Sequence, residues 1–288
     1  MKVLVFGSTG QVARELARRN STDVMITCLG RAQADLTDPA ACADVITGAD
    51  ADVIINAAAY TAVDQAEQDE ATAKAVNATA PAAMARAAAA RKLPFLHIST
   101  DYVFDGSGDA FRSETDPVSP KNAYGRTKLA GEDGVRAAGG VHVILRTSWV
   151  FSAHGNNFVR TMLRLAETRD ALTVVQDQIG GPTPAADIAG ALITMAQALH
   201  QGQVGGTYHF SGQPPASWAD FARAIFDMSR QNVTVTGIPT TDYPTPAIRP
   251  LNSRLNCAKL TTDFGITPPD WTAGLAQVLK ELGHDQAA

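Results

Sequence analysis

The 288 residues contain only three cysteines, and Cys28, Cys42 and Cys257 form no C-x-x-C pair. An odd, unclustered set excludes a disulfide framework and reads as the reduced thiols of a cytoplasmic protein. The six histidines make no H-x-x-x-H pair, so no helical zinc site is expected. Long apolar runs are also missing. The most apolar stretch, 82–90, is alanine-rich, broken by Arg86 and too short to span a membrane. The chain opens on Met-Lys and enters an apolar run at once, with neither the hydrophobic region nor the cleavage site of a signal peptide. Charged residues are scarce at 18%, and the net charge of −5 argues against a general nucleic-acid binder. It does not exclude an anionic ligand held by local donors. Hydrophobic residues make up 45%, so the chain is globular, and its length suits a large domain or a domain plus a smaller lobe.

What is present alternates. Short apolar runs at 2–6, 24–29, 52–56, 94–99 and 141–146 read as strands. Segments 11–19, 70–91 and 122–138 between them read as helices, and Asp38-Pro39 reads as a helix N-cap followed by proline. Strands alternating with helices predict an α/β fold built on a doubly wound parallel sheet, the Rossmann arrangement. After Thr147 the pattern loosens. Helices are expected at 157–168, 185–200, 218–230 and 271–282, with strands at 172–175 and 207–210. Segments 180–184 and 243–256 read as loops. This half predicts a smaller α+β C-terminal lobe over the sheet's carboxyl edge.

Gly7-Ser8-Thr9-Gly10-Gln11-Val12-Ala13 follows the first strand and opens the first helix. Gly7 allows a tight turn, Gly10 lets a pyrophosphate approach the backbone amides, and Ala13 stands where close helix packing needs a small residue. The pattern predicts a dinucleotide site. Residues 1–150, with part of 180–210, then form the NAD(P)-binding domain, and 151–288 mainly the substrate lobe. An acid is missing after the second strand. Gly30-Arg31 stands there, and an arginine suits the 2′-phosphate of NADPH, favouring NADPH or dual use with NADH. Ala57-Ala58-Ala59 ends another strand, where small side chains let a flat ribose or ring lie on the backbone. Ser99-Thr100 ends the next, and Thr100 is the preferred hydroxyl donor to a substrate oxygen. Tyr124 and Lys128 are four positions apart on the following helix and share a face. An ammonium beside the phenol is expected to lower its pKa, fitting the pair to move a proton at a carbonyl oxygen.

The glycine turn, the Ser/Thr strand end and Tyr-x-x-x-Lys, in this order, resemble the extended short-chain dehydrogenase/reductases. Asn56-Ala57-Ala58-Ala59-Tyr60-Thr61-Ala62-Val63-Asp64, Ser99 to Phe104, Tyr124 to Glu132, Arg146-Thr147-Ser148-Trp149-Val150, Gly155-Asn156-Asn157-Phe158 and Tyr243 to Pro250 narrow it. Together with Asn252-Ser253 they look like the dTDP-4-dehydrorhamnose reductase family, from residue 1 to about 282. The resemblance implies reduction of dTDP-4-dehydro-β-L-rhamnose at C4 by NAD(P)H. It implies catalytic Thr100, Tyr124 and Lys128. The implied cofactor contacts are Gly7, Thr9, Gly10, Gln11, Val12, Arg31, Asp35, Leu36, Ala57, Ala58, Ala59 and Tyr60, with Tyr124 and Lys128. Thr61, Val63, Tyr102, Trp149, Asn157 and Arg249 are the implied substrate contacts. Some members dimerise around magnesium held by glutamates. Glu15 and Glu281 match two of these, but Ala186 stands at the third, with Asp187 next, so a metal is not expected and the chain is a monomer or homodimer. Two rival readings are another nucleotide-sugar reductase or epimerase of the superfamily, and a non-catalytic NADP-binding regulatory subunit.

Overall fold

The computed structural model describes residues 1–284. Strand β1 (Lys2–Phe6) leads into helix α1 (Gln11–Ala17), then β2 (Met25–Leu29), α2 (Pro39–Gly48) and β3 (Val53–Asn56). The Asp38 side chain caps α2 by accepting from the Ala41 N–H, and Pro39 sits in the first turn, where no N–H is missed. Two short helices follow, α3 (Val63–Ala66) and α4 (Glu70–Lys74). The expected helix over 70–91 runs on, but through a π turn at Ala75–Thr79 before α5 (Ala80–Ala90). Pro81 has no N–H to offer the Asn77 carbonyl, so the regular ladder cannot pass that point. Strand β4 (Phe95–Thr100), helix α6 (Ala123–Ala137) and strand β5 (His142–Thr147) complete the first half.

The second half holds β6 (Val150–Phe151), α7 (Phe158–Ala166), β7 (Ala171–Val175), β8 (Ile179–Gly180), β9 (Thr183–Pro184) and α8 (Ala185–His200). It continues with β10 (Gly206–His209), β11 (Ala216–Ser217), α9 (Trp218–Ser229), β12 (Thr234–Ile238), β13 (Asn252–Ser253), α10 (Ala258–Phe264) and α11 (Trp271–Glu281). Three differences from the sequence reading stand out. Segment 180–184 carries parts of two short strands, β12 pairs in parallel with β7, and α10 forms where no helix was expected.

Six parallel strands in the order β10-β5-β4-β3-β1-β2 form the central sheet. The chain goes out from β1 to β2, then crosses back to β3 on the other side. That reversal opens a crevice past the carboxyl ends of β1 and β3, the usual ligand position in such sheets. Val5, Val53, Ile55 and Leu96 are buried on one face against α1 and α8, while Phe6, Ile54 and Phe95 are buried on the other. A separate core gathers Phe151, Val159, Phe221, Phe226, Trp271 and Leu275 in the C-terminal lobe. Although β10, α8 and α10 come late in sequence, they pack on the first core. Among the described residues, no helix is long and apolar enough to cross a membrane.

Candidate active site

Gly7 leaves β1 with φ +115°, and its N–H reaches the Leu29 carbonyl at 3.0 Å. A Cβ there would lie 3.3 Å from the Ala57 carbonyl carbon, so strain and space both call for glycine. The turn and the alanine segment after β3 thus meet as one small-residue cradle, which fits a flat nucleotide on the backbone. Gln11 has another use: its Nε2 faces the Val150 carbonyl at 3.3 Å, and its Oε1 accepts from Ser152 (2.9 Å) and Asn157 (3.0 Å). Leu36 is buried and packs in the core on one face of the sheet. Arg31 lies after β2, is 80% exposed, and gives its Nε to Asp35 at 3.0 Å. The Thr37 backbone N–H, then Arg31, pull the Asp35 carboxyl down to about 2. Tyr60 is held by Asn77, which accepts from the Tyr60 N–H at 2.8 Å and donates to its carbonyl (3.1 Å) and to Thr127 (3.2 Å).

Asn122 caps α6, accepting from the Gly125 N–H at 2.8 Å. Gly125 lies inside the Tyr-x-x-x-Lys motif, and a Cβ there would fall 2.3 Å from the Tyr102 carbonyl oxygen. Its absence lets α6 approach the turn after β4. That approach sets Tyr124 edge-on to Tyr102, ring centroids 5.5 Å apart. Thr100 and Ser99 separate there. Ser99 donates to Glu132 at 2.6 Å, while Thr100 donates to Asp101 at 3.0 Å and accepts from the Tyr102 N–H at 3.2 Å. Burial pushes the Asp101 carboxyl up to about 6. Burial, then the Asp101 charge, also push the Tyr124 phenol up, with Thr100 acting the other way.

This corrects one expectation: the Tyr124 pKa was expected to be lowered by Lys128, and burial with the Asp101 charge raises it instead. Lys128 is 1% exposed, and its Nζ donates to the Ile98 carbonyl at 2.7 Å and lies 3.3 Å from His97 Nε2. Burial brings its pKa down to about 8, against the raising effect of Glu132. Glu132 itself is gripped by Arg146, Nε to Oε1 at 2.8 Å and Nη2 to Oε2 at 2.7 Å. Burial, the largest influence, would raise the Glu132 pKa, but Arg146, Ser99 and Arg136 together outweigh it and the net shift is down.

A cleft of about 710 Å³ opens beside Tyr102, within the size range of ligand sites. Tyr102 and Arg249 line it, as do Asp64, Phe158, Arg169, Trp218, Tyr243 and Thr245. Arg249 is ion-paired to Asp64 and lies 3.4 Å from the Tyr102 hydroxyl. Thr61, Val63, Trp149 and Asn157 do not line the cleft. Trp149, at a left-handed φ of +48°, stacks on the cleft-lining Trp218 with ring centroids 3.6 Å apart. Asn157 has structural partners of its own. It caps α7 through the Arg160 N–H and donates to Gln11, Ser152 and His154, so its side chain closes a loop. His97, Asn77 and Trp218 escaped sequence reasoning, because none sits in a spaced motif; Glu132 ends the stretch from Tyr124 but was given no role there.

Glu15 and Glu281 do converge, with His154 as third member, their ligand atoms within 4.8 Å of one another. Arg18 already holds both carboxylates, at 3.3 Å and 2.8 Å. Magnesium prefers oxygen donors, so an arginine-neutralised set whose third member is imidazole does not fit it. Ala186 lines the same hollow and offers no donor.

A nucleotide crevice beside a Tyr-x-x-x-Lys helix and a Ser/Thr strand end defines an oxidoreductase of the short-chain dehydrogenase/reductase class. The chain belongs to the dTDP-4-dehydrorhamnose reductase family; the family model described as RmlD substrate binding domain matches residues 1–284. A dTDP-4-dehydrorhamnose reductase from Sinorhizobium fredii is 45% identical over 278 residues, covering 94% of each chain. The crystal structure of such a reductase from Clostridium acetobutylicum superposes with a TM-score of 0.92 at 36% identity, covering 98% of this chain and 100% of its own. One from Bacillus anthracis, in complex with NADP, gives 0.90 at 34% identity, covering 97% and 99%.

Proposed function

We infer that the protein reduces the C4 ketone of dTDP-4-dehydro-β-L-rhamnose to dTDP-β-L-rhamnose, the last step of dTDP-rhamnose synthesis. It is an NAD(P)H-dependent oxidoreductase, and the bound cofactor supplies the hydride for C4. The observation that carries this reading is Tyr124 set edge-on to Tyr102, which itself lines the cleft. Tyr124 gives its proton to the C4 oxygen as negative charge develops there. A neutral phenol is the right form for that task, and burial keeps it neutral. Thr100 steadies the same oxygen once its hydroxyl rotates away from Asp101, to which it now donates. Lys128 positions the nicotinamide ribose.

The residues present fit the cofactor. Gly7, Thr9, Gly10, Val12 and Ala57 to Tyr60 would hold it chiefly by backbone, with Gln11 and Leu36 contributing main chain only. Arg31 would take the 2′-phosphate, supporting NADPH over NADH. The sheet half serves the cofactor and the C-terminal lobe the sugar nucleotide. Arg249 would reach the diphosphate by exchanging Asp64 for it. Thr61 and Val63, next in sequence to the cleft-lining Asp64, would serve the sugar. The assembly is a monomer or a homodimer without a metal bridge, a reading supported by the Arg18 clasp. Three free thiols support a reducing compartment such as the cytoplasm.

Turnover with a panel of dTDP-, GDP- and UDP-linked 4-keto sugars tests the substrate. Preference for the dTDP-4-dehydrorhamnose substrate is expected; faster turnover of a GDP or UDP sugar would replace this reading.

A further inference from the structure

Thr100 cannot offer the C4 oxygen a hydrogen that it already gives away. Its hydroxyl has one hydrogen and two lone pairs. The hydrogen goes to Asp101 Oδ1 at 3.0 Å, and one lone pair takes the Tyr102 N–H at 3.2 Å. A hydroxyl bond to a carboxylate is charge-assisted, roughly twice as strong as a bond to a neutral oxygen. The protonation state of Asp101 therefore decides what the Thr100 hydroxyl can do.

Asp101 opens the turn after β4, is 3% exposed and packs on α6. Ser253 of β13 stands close enough for its hydroxyl to favour the carboxylate, yet Asp101 Oδ2 and Ser253 Oγ are both buried without a completed hydrogen bond. Thr147, the register partner of Thr100 on β5, also keeps a buried hydroxyl unpaired. The cations on the neighbouring elements have other partners. On α6, Lys128 gives its Nζ to the Ile98 carbonyl beside His97, Arg126 pairs with Glu70, and Arg136 with Glu132. Arg146 of β5 also holds Glu132. Before β13 Arg249 holds Asp64, and after it Arg254 bonds Asn252. The titratable groups acted on by the Asp101 charge are the phenols of Tyr102 and Tyr124. Burial dominates and lifts the Asp101 pKa to about 6, so the group is the carboxylate at neutral pH and gains its proton on mild acidification.

We propose that Asp101 is a positioning residue for Thr100: as the carboxylate it keeps the Thr100 hydrogen, and as the neutral acid it releases that hydrogen to the C4 oxygen. This rests on the keto-sugar reduction proposed above, with Thr100 at the C4 oxygen. Either site of protonation has the same effect. With the proton on Oδ1, the acid donates to the free lone pair of Thr100 and reverses the bond. With the proton on Oδ2, the bond from Thr100 to Oδ1 loses its charge assistance. The gain in rate is present below about pH 6 and is lost as pH rises through that value.

Two measurements keep failure of this role apart from failure of the reductase reading. Without substrate, 13C NMR of the whole protein follows the Asp101 carboxyl and the Thr100 Cβ through a pH titration. Both signals are assigned by correlation to the backbone, so no variant has to fold. Asp101 is expected to titrate near its raised pKa of about 6, and Thr100 to follow with the same midpoint. With substrate, single-turnover NADPH oxidation with dTDP-4-dehydro-β-L-rhamnose is run from about pH 5 to about pH 7.5, below the Lys128 pKa of about 8. The rate is expected to fall about tenfold or more across that window, the ratio for one charged hydrogen bond. Thr100→Ser keeps the profile, while Thr100→Val and Asp101→Asn flatten it. Three results would overturn the role: Asp101 titrating in the ordinary carboxylate range, Thr100 signals that ignore Asp101, or a profile that survives in Thr100→Val. The last would mean that the Asp101 charge acts on Tyr124 directly. Absence of turnover at every pH would count against the substrate, while the titration still decides the link between Asp101 and Thr100.

Discussion

Asp101 is a carboxyl group buried beside the phenol that must keep its proton, and it puts pH into the stability of the fold. Its pKa is raised from 3.8 to about 6 by burial. A raised acid favours the folded state below the unfolded pKa, and that contribution is lost as pH rises through the folded pKa. Stability tied to Asp101 therefore falls between about pH 4 and pH 6, by on the order of 3 kcal/mol for a shift of this size. Asp101→Asn removes the titration. Denaturant unfolding at about pH 8 and pH 4 is expected to show the variant gaining on the unsubstituted protein only at the higher pH. An equal difference at both would mean Asp101 is not strained by burial. Glu132 lies on the opposite side of the balance. It is fully buried against Arg146, which is itself 2% exposed. Glu132→Gln leaves that guanidinium uncompensated, and a loss of about 3–5 kcal/mol in the same unfolding measurement is expected. A loss below about 1 kcal/mol would show that the pair is hydrated.

Among elements, the loop between β12 and β13 decides how the cleft is built. Asp64, at the start of α3, accepts from the Ala247 N–H at 3.2 Å and pairs with Arg249, while the Asn122 side chain donates to the Ile248 carbonyl at 2.8 Å. Two parts of the nucleotide half thus hold a loop of the lobe. Arg249→Ala is expected to raise KM for the sugar nucleotide about tenfold or more, with NADPH affinity unchanged, since a charged hydrogen bond contributes ~1.5–3 kcal/mol. Unchanged KM would remove Arg249 from the site. Elements also show what a sequence reveals. The central strands were legible because buried parallel strands are continuous apolar runs, as in Val53–Asn56. Strand β12 was not, because Thr-Val-Thr-Gly-Ile is half-exposed and is defined by its pairing with β7. Helix α10 is seven residues with two threonines, a weak helix signal that packing on β10 overrides. Within the site, the spacing of Tyr124 and Lys128 was readable because one helix sets it. Glu132, one turn further along the same helix, shares that spacing; His97 and Asn56 were not readable, because strand pairing and helix docking, not spacing, bring them to Lys128.

Across the whole molecule, the chain joins a crevice at the carboxyl edge of a parallel sheet to a cleft in a separately packed lobe. Tyr102, which lines the cleft, packs edge-on against Tyr124 of the Tyr-x-x-x-Lys helix. Gln11 ties the start of α1 to the Val150 carbonyl and to Asn157 at the head of α7, so the first helix and the lobe are braced together. In the proposed reaction that brace would fix the distance between cofactor and sugar, on which hydride transfer depends. The account stands on Tyr124 as proton donor to the C4 oxygen. The most direct measurement is NADPH oxidation with dTDP-4-dehydro-β-L-rhamnose by the unsubstituted protein and by Tyr124→Phe, with NADPH binding measured on both. The account predicts turnover by the former, a fall in kcat of about 10²–10⁴ for the latter, and equal NADPH affinity. Near-normal kcat in Tyr124→Phe with NADPH bound would contradict it.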